Sequence, residues 1–438
     1  MHKKILSLFL ASMFGSAMAQ SKIEFEEYDL DNGLHVILHE DHSTPIVAVS
    51  VLYHVGSKNE KEGRSGFAHF FEHLMFEGSP HIERGEYMKI VSSNGGALNA
   101  NTSFDRTFYY EILPSNQLEL GLWLESERML QATVDIVGVN TQREVVKEEK
   151  RLRVDNQPYG SFQEKMFGTA FEGSYYAITP IGTMEDLNAA EEADFKDFYS
   201  TFYVPNNATL SIAGDIDPET AKAWIAKYFS TIPKGNKEIP RPSEKPAPLS
   251  GEVIDTVYDN IQLPGIFMGY RCPERGTREA YAMDMLSTIL ADGQSSMLYK
   301  SIVDEKQLGV VIQAFNFSLE NAGLFITFGL ANPDTEISSF IQAIDDEINK
   351  LINNGISAED YTKIQNQIEN DFVSRNGRIA GIAESLADNH VYLGDANLIN
   401  TELKNYREIS AEDLRAVAAK YLVPENRVVL HYLPKTEK

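Results

Sequence analysis

Two segments of this 438-residue chain close in the same way, and the repeat limits the folds open to it. In the first, a helical pattern from Asp194 to Tyr203 stops at Pro205 and gives way to the strand-like run Ala208-Thr-Leu-Ser-Ile212. In the second, a helical pattern from Asp413 to Tyr421 stops at Pro424 and gives way to Arg427-Val-Val-Leu430. Proline cannot continue a helix and biases the preceding residue toward extended backbone, so both segments read as helix, stop, strand. The two prolines stand 219 positions apart, close to half the chain. Between the segments, residues 232–252 hold five prolines and almost no apolar periodicity, the composition of an extended linker. The chain therefore reads as a duplicated α+β domain, residues 22–231 and 253–438, joined by the linker 232–252.

Within the first half, residues 33–38 and 46–53 have strand character and residues 85–93 helical character. The turn Asn94-Gly95-Gly96 predicts entry into an alternating strand that runs from Ala97 through Thr102 to Tyr110. Helices are expected from Gln117 to Leu130 and from Thr141 to Val154. Strands and helices mix without a βαβ rhythm, which favours α+β over a doubly wound parallel sheet.

Between the second strand and the helix at 85–93 stands Gly66-Phe-Ala-His69-Phe-Phe-Glu72-His73-Leu-Met-Phe-Glu-Gly78. On a helix, His69 and His73 project from one face one turn apart, so two imidazoles can grip one ion. Glu72 stands beside that face, where a carboxylate can take a proton from a water held by the metal. The order is H-x-x-E-H, the reverse of the commoner His-Glu-x-x-His. Phe67, Phe70, Phe71, Leu74, Met75 and Phe76 make the helix apolar nearly all round and predict its burial. Buried imidazoles and a buried carboxylate need partners, and a metal supplies one.

The chain opens Met-His-Lys-Lys, continues in an apolar run from Ile5 to Ala17 and reaches Ala17-Met-Ala19, which predicts a secretory signal peptide over residues 1–19. The run is too short to favour a membrane anchor, so a periplasmic or secreted product is expected. Cys272 is the only cysteine, and an internal disulfide is therefore excluded. The formal charge of -25 argues against nucleic acid and anionic membrane surfaces as partners.

Asn32-Gly33-Leu34, Tyr53-His-Val-Gly56-Ser57-Lys-Asn-Glu60, the segment Gly66 to Gly78, and Gly95-Gly96-Ala-Leu-Asn99-Ala100-Asn-Thr102 follow in that order at close spacing. Together they resemble the pitrilysin and insulinase-like zinc metallopeptidases, and in length the two-domain branch that includes mitochondrial processing peptidase and small bacterial relatives. The resemblance implies one zinc per chain and a third ligand on a later helix, which falls on Glu149, 76 residues past His73, with Glu148 as the near competitor. It implies that zinc acidifies a water and polarises the scissile carbonyl while Glu72 shuttles the proton. It further implies that the strand at Asn99 and Ala100 pairs with an extended peptide substrate by backbone hydrogen bonds, and that the chain forms half of a clam-like chamber.

Two departures from the family pattern stand out. Seven residues before Glu149, where many relatives place another glutamate near the zinc, this chain has Gln142. In the second domain, the positions of an arginine and tyrosine that help hold substrate are Val303 and Val310. Two valines donate no hydrogen bond to an oxyanion, and losing one such donor can cost roughly a hundredfold in rate. A homologous partner subunit supplying the pair is therefore expected, otherwise a homodimer; a local shift bringing in Tyr299 or Lys300 is the alternative. The function expected is an exported zinc metalloendopeptidase acting on short unstructured peptides, against a non-catalytic scaffold or peptide-binding subunit of the same fold. His35, His39, His42, His54, His81, His390 and His431 read as surface or packing residues, and the turn carrying His39 and His42 as solvated.

Overall fold

A computed structural model describes residues 22–435. The signal peptide expected at residues 1–19 lies outside that range. The first half runs β1 (Glu26–Asp29), β2 (His35–Glu40), β3 (Ile46–Tyr53), α1 (Phe67–Leu74), α2 (Tyr87–Ser93), β4 (Ala97–Thr102) and β5 (Thr107–Pro114). It continues through α3 (Leu118–Gln131), α4 (Ile136–Lys150), α5 (Phe162–Ala170), α6 (Met184–Ala189), α7 (Glu192–Phe202), β6 (Ala208–Gly214) and α8 (Pro218–Phe229). The second runs β7 (Val253–Asp259), β8 (Gly265–Cys272), α9 (Arg278–Ala291), β9 (Gly309–Ser318) and β10 (Gly323–Ala331). It ends with α10 (Ile337–Asn354), α11 (Ala358–Asn376), α12 (Ile379–Leu393), α13 (Leu398–Arg407), α14 (Ala411–Tyr421) and β11 (Arg427–Pro434).

Each half builds one sheet, ordered β1-β2-β6-β3-β5-β4 in the first and β7-β11-β8-β10-β9 in the second. Apart from the extra strand β1, the orders correspond position by position, and the repeated prolines precede β6 and β11. In both halves a parallel pair, β2 with β6 and β7 with β11, sits in an otherwise antiparallel sheet. This is a two-domain α+β fold. Residues 233–252 carry no helix or strand and are tied to both halves, with Asn59 Nδ2 donating to the Pro240 carbonyl at 3.0 Å and Arg271 Nη1 to that of Ala247 at 3.1 Å.

β3 is apolar on both faces because both are covered. Val47, Val49, Val51 and Tyr53 join the core under the first half's own helices, while Ala48 and Leu52 pack on Ala383, Leu386 and Ala387 of α12. The exchange is reciprocal: Met166, Phe167 and Ala170 of α5 pack against Phe267, Val428 and Leu430 of the second sheet. Each domain thus lends the other the helix that closes its outer face.

Three local expectations need correction. The strand expected from Ala97 to Tyr110 is a hairpin, β4 and β5, in register Thr102 to Thr107. Its turn is made by Ser103, whose Oγ accepts from the amides of Asp105 and Arg106 at 3.2 Å. The helix expected from Thr141 begins at Ile136 instead, because the Asp135 side chain accepts from the Gly138 amide at 2.7 Å and caps it. His39 stands on β2 rather than in a turn and is buried, with Nδ1 2.7 Å from the Glu24 carbonyl, because β1 and the chain before it cover it.

Candidate metal centre

α1 begins where the chain turns through Gly66 at φ 85°, a left-handed backbone; a Cβ there would lie 2.9 Å from the Ile181 carbonyl oxygen. The helix is held at its N-terminus by Glu60, whose two carboxylate oxygens accept from the amides of Gly66 at 2.9 Å and Ala68 at 2.8 Å. Phe67, Phe70 and Phe71 seat it on α7, with Phe67 stacked on Phe195 at 4.5 Å. Burial is therefore one-sided rather than all round: the face carrying His69, Glu72 and His73 opens toward solvent.

That face meets α4. Glu149 Oε2 lies 3.2 Å from His73 Nε2 and 3.6 Å from His69 Nε2, and one ligand-type atom from each of the three lies within 4.8 Å of the others. Two donors bound at ~2.0–2.1 Å to a tetrahedral ion stand about 3.3–3.4 Å apart, so the donor set fits zinc. Burial pushes His69 down to about 4, reinforced by the charge of His73 and opposed by Glu149. Its ring is therefore neutral near pH 7, the state a ligand needs. The hydrogen bond from His73 holds Glu149 below the ordinary carboxylate range against the effect of burial. Glu148 points elsewhere, to Arg151 at 3.0 Å. His69 Nδ1 is buried without a partner among the described residues.

Glu72 stays out of the triad. Thr102 Oγ1 on β4 donates to its Oε2 at 2.6 Å, and burial raises its pKa, with that hydrogen bond opposing. Two cavities of about 670 and 680 Å³ meet at the triad. The larger takes in Ala97 to Thr102, including Asn99 and Ala100 on β4, which is the free edge of the first sheet. The other passes between the domains, where Phe162 faces Phe267, Phe315 and Phe328 of the second sheet. Gln142 does not line either; its Nε2 donates to Glu77 Oε1 at 2.6 Å, and Glu77 pairs with Arg84. Val303, Val310, Tyr299 and Lys300 are likewise absent from both linings, and Tyr299 and Val310 border a separate 350 Å³ hollow beside β9.

Sequence reasoning gave no role to Thr102, Glu60 or Arg153. Arg153 Nη1 reaches Glu149 Oε1 at 2.9 Å, and Arg153 is the one Lys or Arg lining either cavity among the described residues. Its signal was the i, i+4 spacing from Glu149, the spacing of an ordinary helical ion pair. What the sequence pattern lacked was the π-helical turn over Arg151–Asp155 that continues α4.

Residues 35–183 match the family model described as insulinase (peptidase family M16), and residues 190–368 that of the peptidase M16 inactive domain. The zinc protease PqqE of Helicobacter pylori is 31% identical, over 95% of this chain and 94% of that one. A solved protease structure from Helicobacter pylori superposes with a TM-score of 0.90 at 30% identity, covering 94% of this chain and 100% of the other. The periplasmic protease PqqL of Escherichia coli shares the fold, with a TM-score of 0.77 at 21% identity, over 94% of this chain and 48% of that one. Relatives named zinc proteases across 90% or more of its length and two successive family models place the chain among proteases. It belongs to the insulinase-like peptidases of family M16.

Proposed function

We propose that this chain is an exported zinc metalloendopeptidase that hydrolyses short unstructured peptides and serves as the zinc-bearing subunit of a dimer. The reading is carried by one observation: His69 Nε2, His73 Nε2 and Glu149 Oε2 converge beside Glu72, at the junction of two cavities and next to a free sheet edge. His69, His73 and Glu149 would hold one zinc, which when bound supplies Lewis acidity toward a peptide carbonyl and water. Thr102 occupies Oε2 of Glu72, leaving Oε1 to take the water's proton and deliver it to the departing amine. A raised pKa suits a group that must both accept and return that proton.

The backbone of Asn99 and Ala100 would pair with the substrate strand, and the aromatic wall would receive an apolar side chain. With valine at 303 and 310, a homologous partner subunit would supply an arginine and tyrosine, or a second copy of this chain would complete the chamber. The match to PqqL over 48% of that chain supports the paired arrangement, since that protein has length for two such units.

The test is hydrolysis of a mixed peptide library by the purified mature chain, with bound zinc measured and Glu72→Gln as control. Cleavage by the chain alone, abolished in the variant, supports the peptidase and removes the need for a partner. Zinc at the triad without cleavage points to the missing subunit. A triad that binds no metal sinks the proposal.

A further inference from the structure

A second group of ligand-type side chains gathers where the two domains join. His35 on β2 and His390 on α12 are 355 residues apart in sequence, yet their rings lie flat on each other, centroids 3.5 Å apart and 4° from parallel. Asp29 on β1 is the cross-strand partner of His35, and Glu27, two residues earlier, shares its face. Asp29 Oδ1 lies 2.8 Å from His35 Nδ1, and Glu27 Oε2 lies 3.3 Å from His35 Nε2. One ligand-type atom from each of Glu27, His35 and His390 lies within 4.8 Å of the others. The His390 ring makes no hydrogen bond among the described residues.

As a metal ligand His35 would donate from Nδ1 to Asp29, 2.8 Å away, and offer Nε2 to the ion. Nε2 of His35 and the Glu27 carboxylate oxygen are joined by a hydrogen bond when the ring carries its second proton, and the same two atoms can share an ion when it does not. That 3.3 Å also matches the separation of two donors around a tetrahedral ion, about 3.3–3.4 Å. Asp29 plays the part that outer carboxylates play at metal centres, fixing the tautomer and orientation of a ligating ring. His69 of the first triad has no such partner. The site is also reachable: the Glu27 side chain is 44% exposed while that of His35 is 13% exposed.

We propose that Glu27, His35 and His390 form a second divalent-cation site, for an ion of the zinc, nickel or cobalt class, that clips the first domain to α12 of the second. Binding turns the His390 ring off the stack so that its lone pair meets the ion. The site is separate from the triad and works whether or not the chain is a peptidase.

The experiment removes the triad first. In the full chain carrying His69→Ala and His73→Ala, equilibrium dialysis against zinc should retain about one ion per chain, and zinc should raise Tm. Adding His390→Ala should abolish both. Adding the exposed Glu27→Gln instead, which leaves the packing of α12 intact, should weaken zinc binding at least about tenfold. The metal-free Tm of each variant verifies folding. No zinc retained without the triad, or retention unchanged by Glu27→Gln and His390→Ala, would overturn the second site. Loss of peptide cleavage on removing the triad, with zinc still held at the joint, separates this proposal from the peptidase reading.

Discussion

The two domains answer the same structural question with different chemistry. In each, the helix after the central antiparallel strand presents a carboxylate to a polar side chain on the edge strand. In the first domain it is Glu72 with Thr102 at 2.6 Å, in the second Asp284 with Asn316 at 2.8 Å. Burial raises both carboxylates, Asp284 to about 6. The difference lies around them: α1 adds His69 and His73 and meets Glu149 from α4, whereas α9 has no histidine and Asp284 instead accepts from the Tyr406 hydroxyl at 3.0 Å. A buried carboxylate bonded to the edge strand is thus a feature of the fold, and in the proposed function the imidazoles are what would turn one copy of it toward metal chemistry.

The sharpest way to break this comparison is to neutralise both carboxylates. Glu72→Gln should lower kcat by roughly 10²–10⁴-fold while leaving zinc content unchanged. Asp284→Asn should leave kcat within about twofold, because no reacting group is near it. Steady-state hydrolysis of one peptide by both variants decides; equal losses would mean that the second domain's carboxylate takes part in turnover.

The joint between the domains comes next in size. Lys58 of the first, its side chain 1% exposed, pairs with Asp105 at 3.0 Å and with Glu320 of the second, which also receives His54 at 2.8 Å. Lys58→Met removes the buried charge that pairs with both carboxylates and should cost about 3–5 kcal/mol, read by urea unfolding. A loss under about 1 kcal/mol would show that the exchanged helices α5 and α12 alone hold the domains together.

Acid acts on two carboxylates of the second domain with opposite signs. Burial pushes Asp284 up to about 6, only partly offset by Asn316 and Tyr406, with Glu402 and Arg275 the nearby charges. The folded state keeps a proton that the unfolded chain releases near 3.8, so stability falls as pH rises from about 4 to 6, by at most ~3 kcal/mol, and is flat above. Asp284→Asn should remove that slope. Glu320 runs the other way: against its burial, the His54 hydrogen bond and the Lys58 charge hold it down to about 2. Its contribution is complete above 4.5 and is lost as pH falls toward 2. Urea midpoints from pH 3 to pH 7, in wild type and Asp284→Asn, test both signs.

The duplication was legible because proline stops are local and survive as pattern, and the histidines because their helical spacing is fixed by geometry. Glu149 came from family resemblance, in which the preceding Val145-Val146 favours it over Glu148, and the packing of α4 on α1 is what sets it beside the histidines. The Ser103 turn was missed because a hairpin and a single alternating strand share a period when the turn side chain supplies the missing hydrogen bonds. In sequence His35 and His390 read only as surface or packing residues, because they meet only after α12 crosses to the other domain. The exchanged helices are likewise a property of the pair of domains, and no local periodicity records which sheet an apolar helix will cover.

The smallest expected effect tests how each domain anchors its helix. α9 is capped locally, Thr277 Oγ1 accepting from the Ala280 amide at 3.2 Å. α1, only eight residues long, depends on Glu60 from before the glycine turn. A helix that short gains little from propensity alone and takes its position from tertiary contacts. Glu60→Gln replaces one of the two accepting oxygens with an amide donor, and should cost about 1–2 kcal/mol. Thr277→Ala should cost about 1 kcal/mol. The discriminating readout is zinc affinity: loosening α1 moves His69 and His73 relative to Glu149, so Glu60→Gln should weaken zinc binding at the triad while Thr277→Ala leaves it unchanged. If both variants lose stability and neither changes zinc affinity, the packing of Phe67, Phe70 and Phe71 on α7 positions the histidines without help from Glu60.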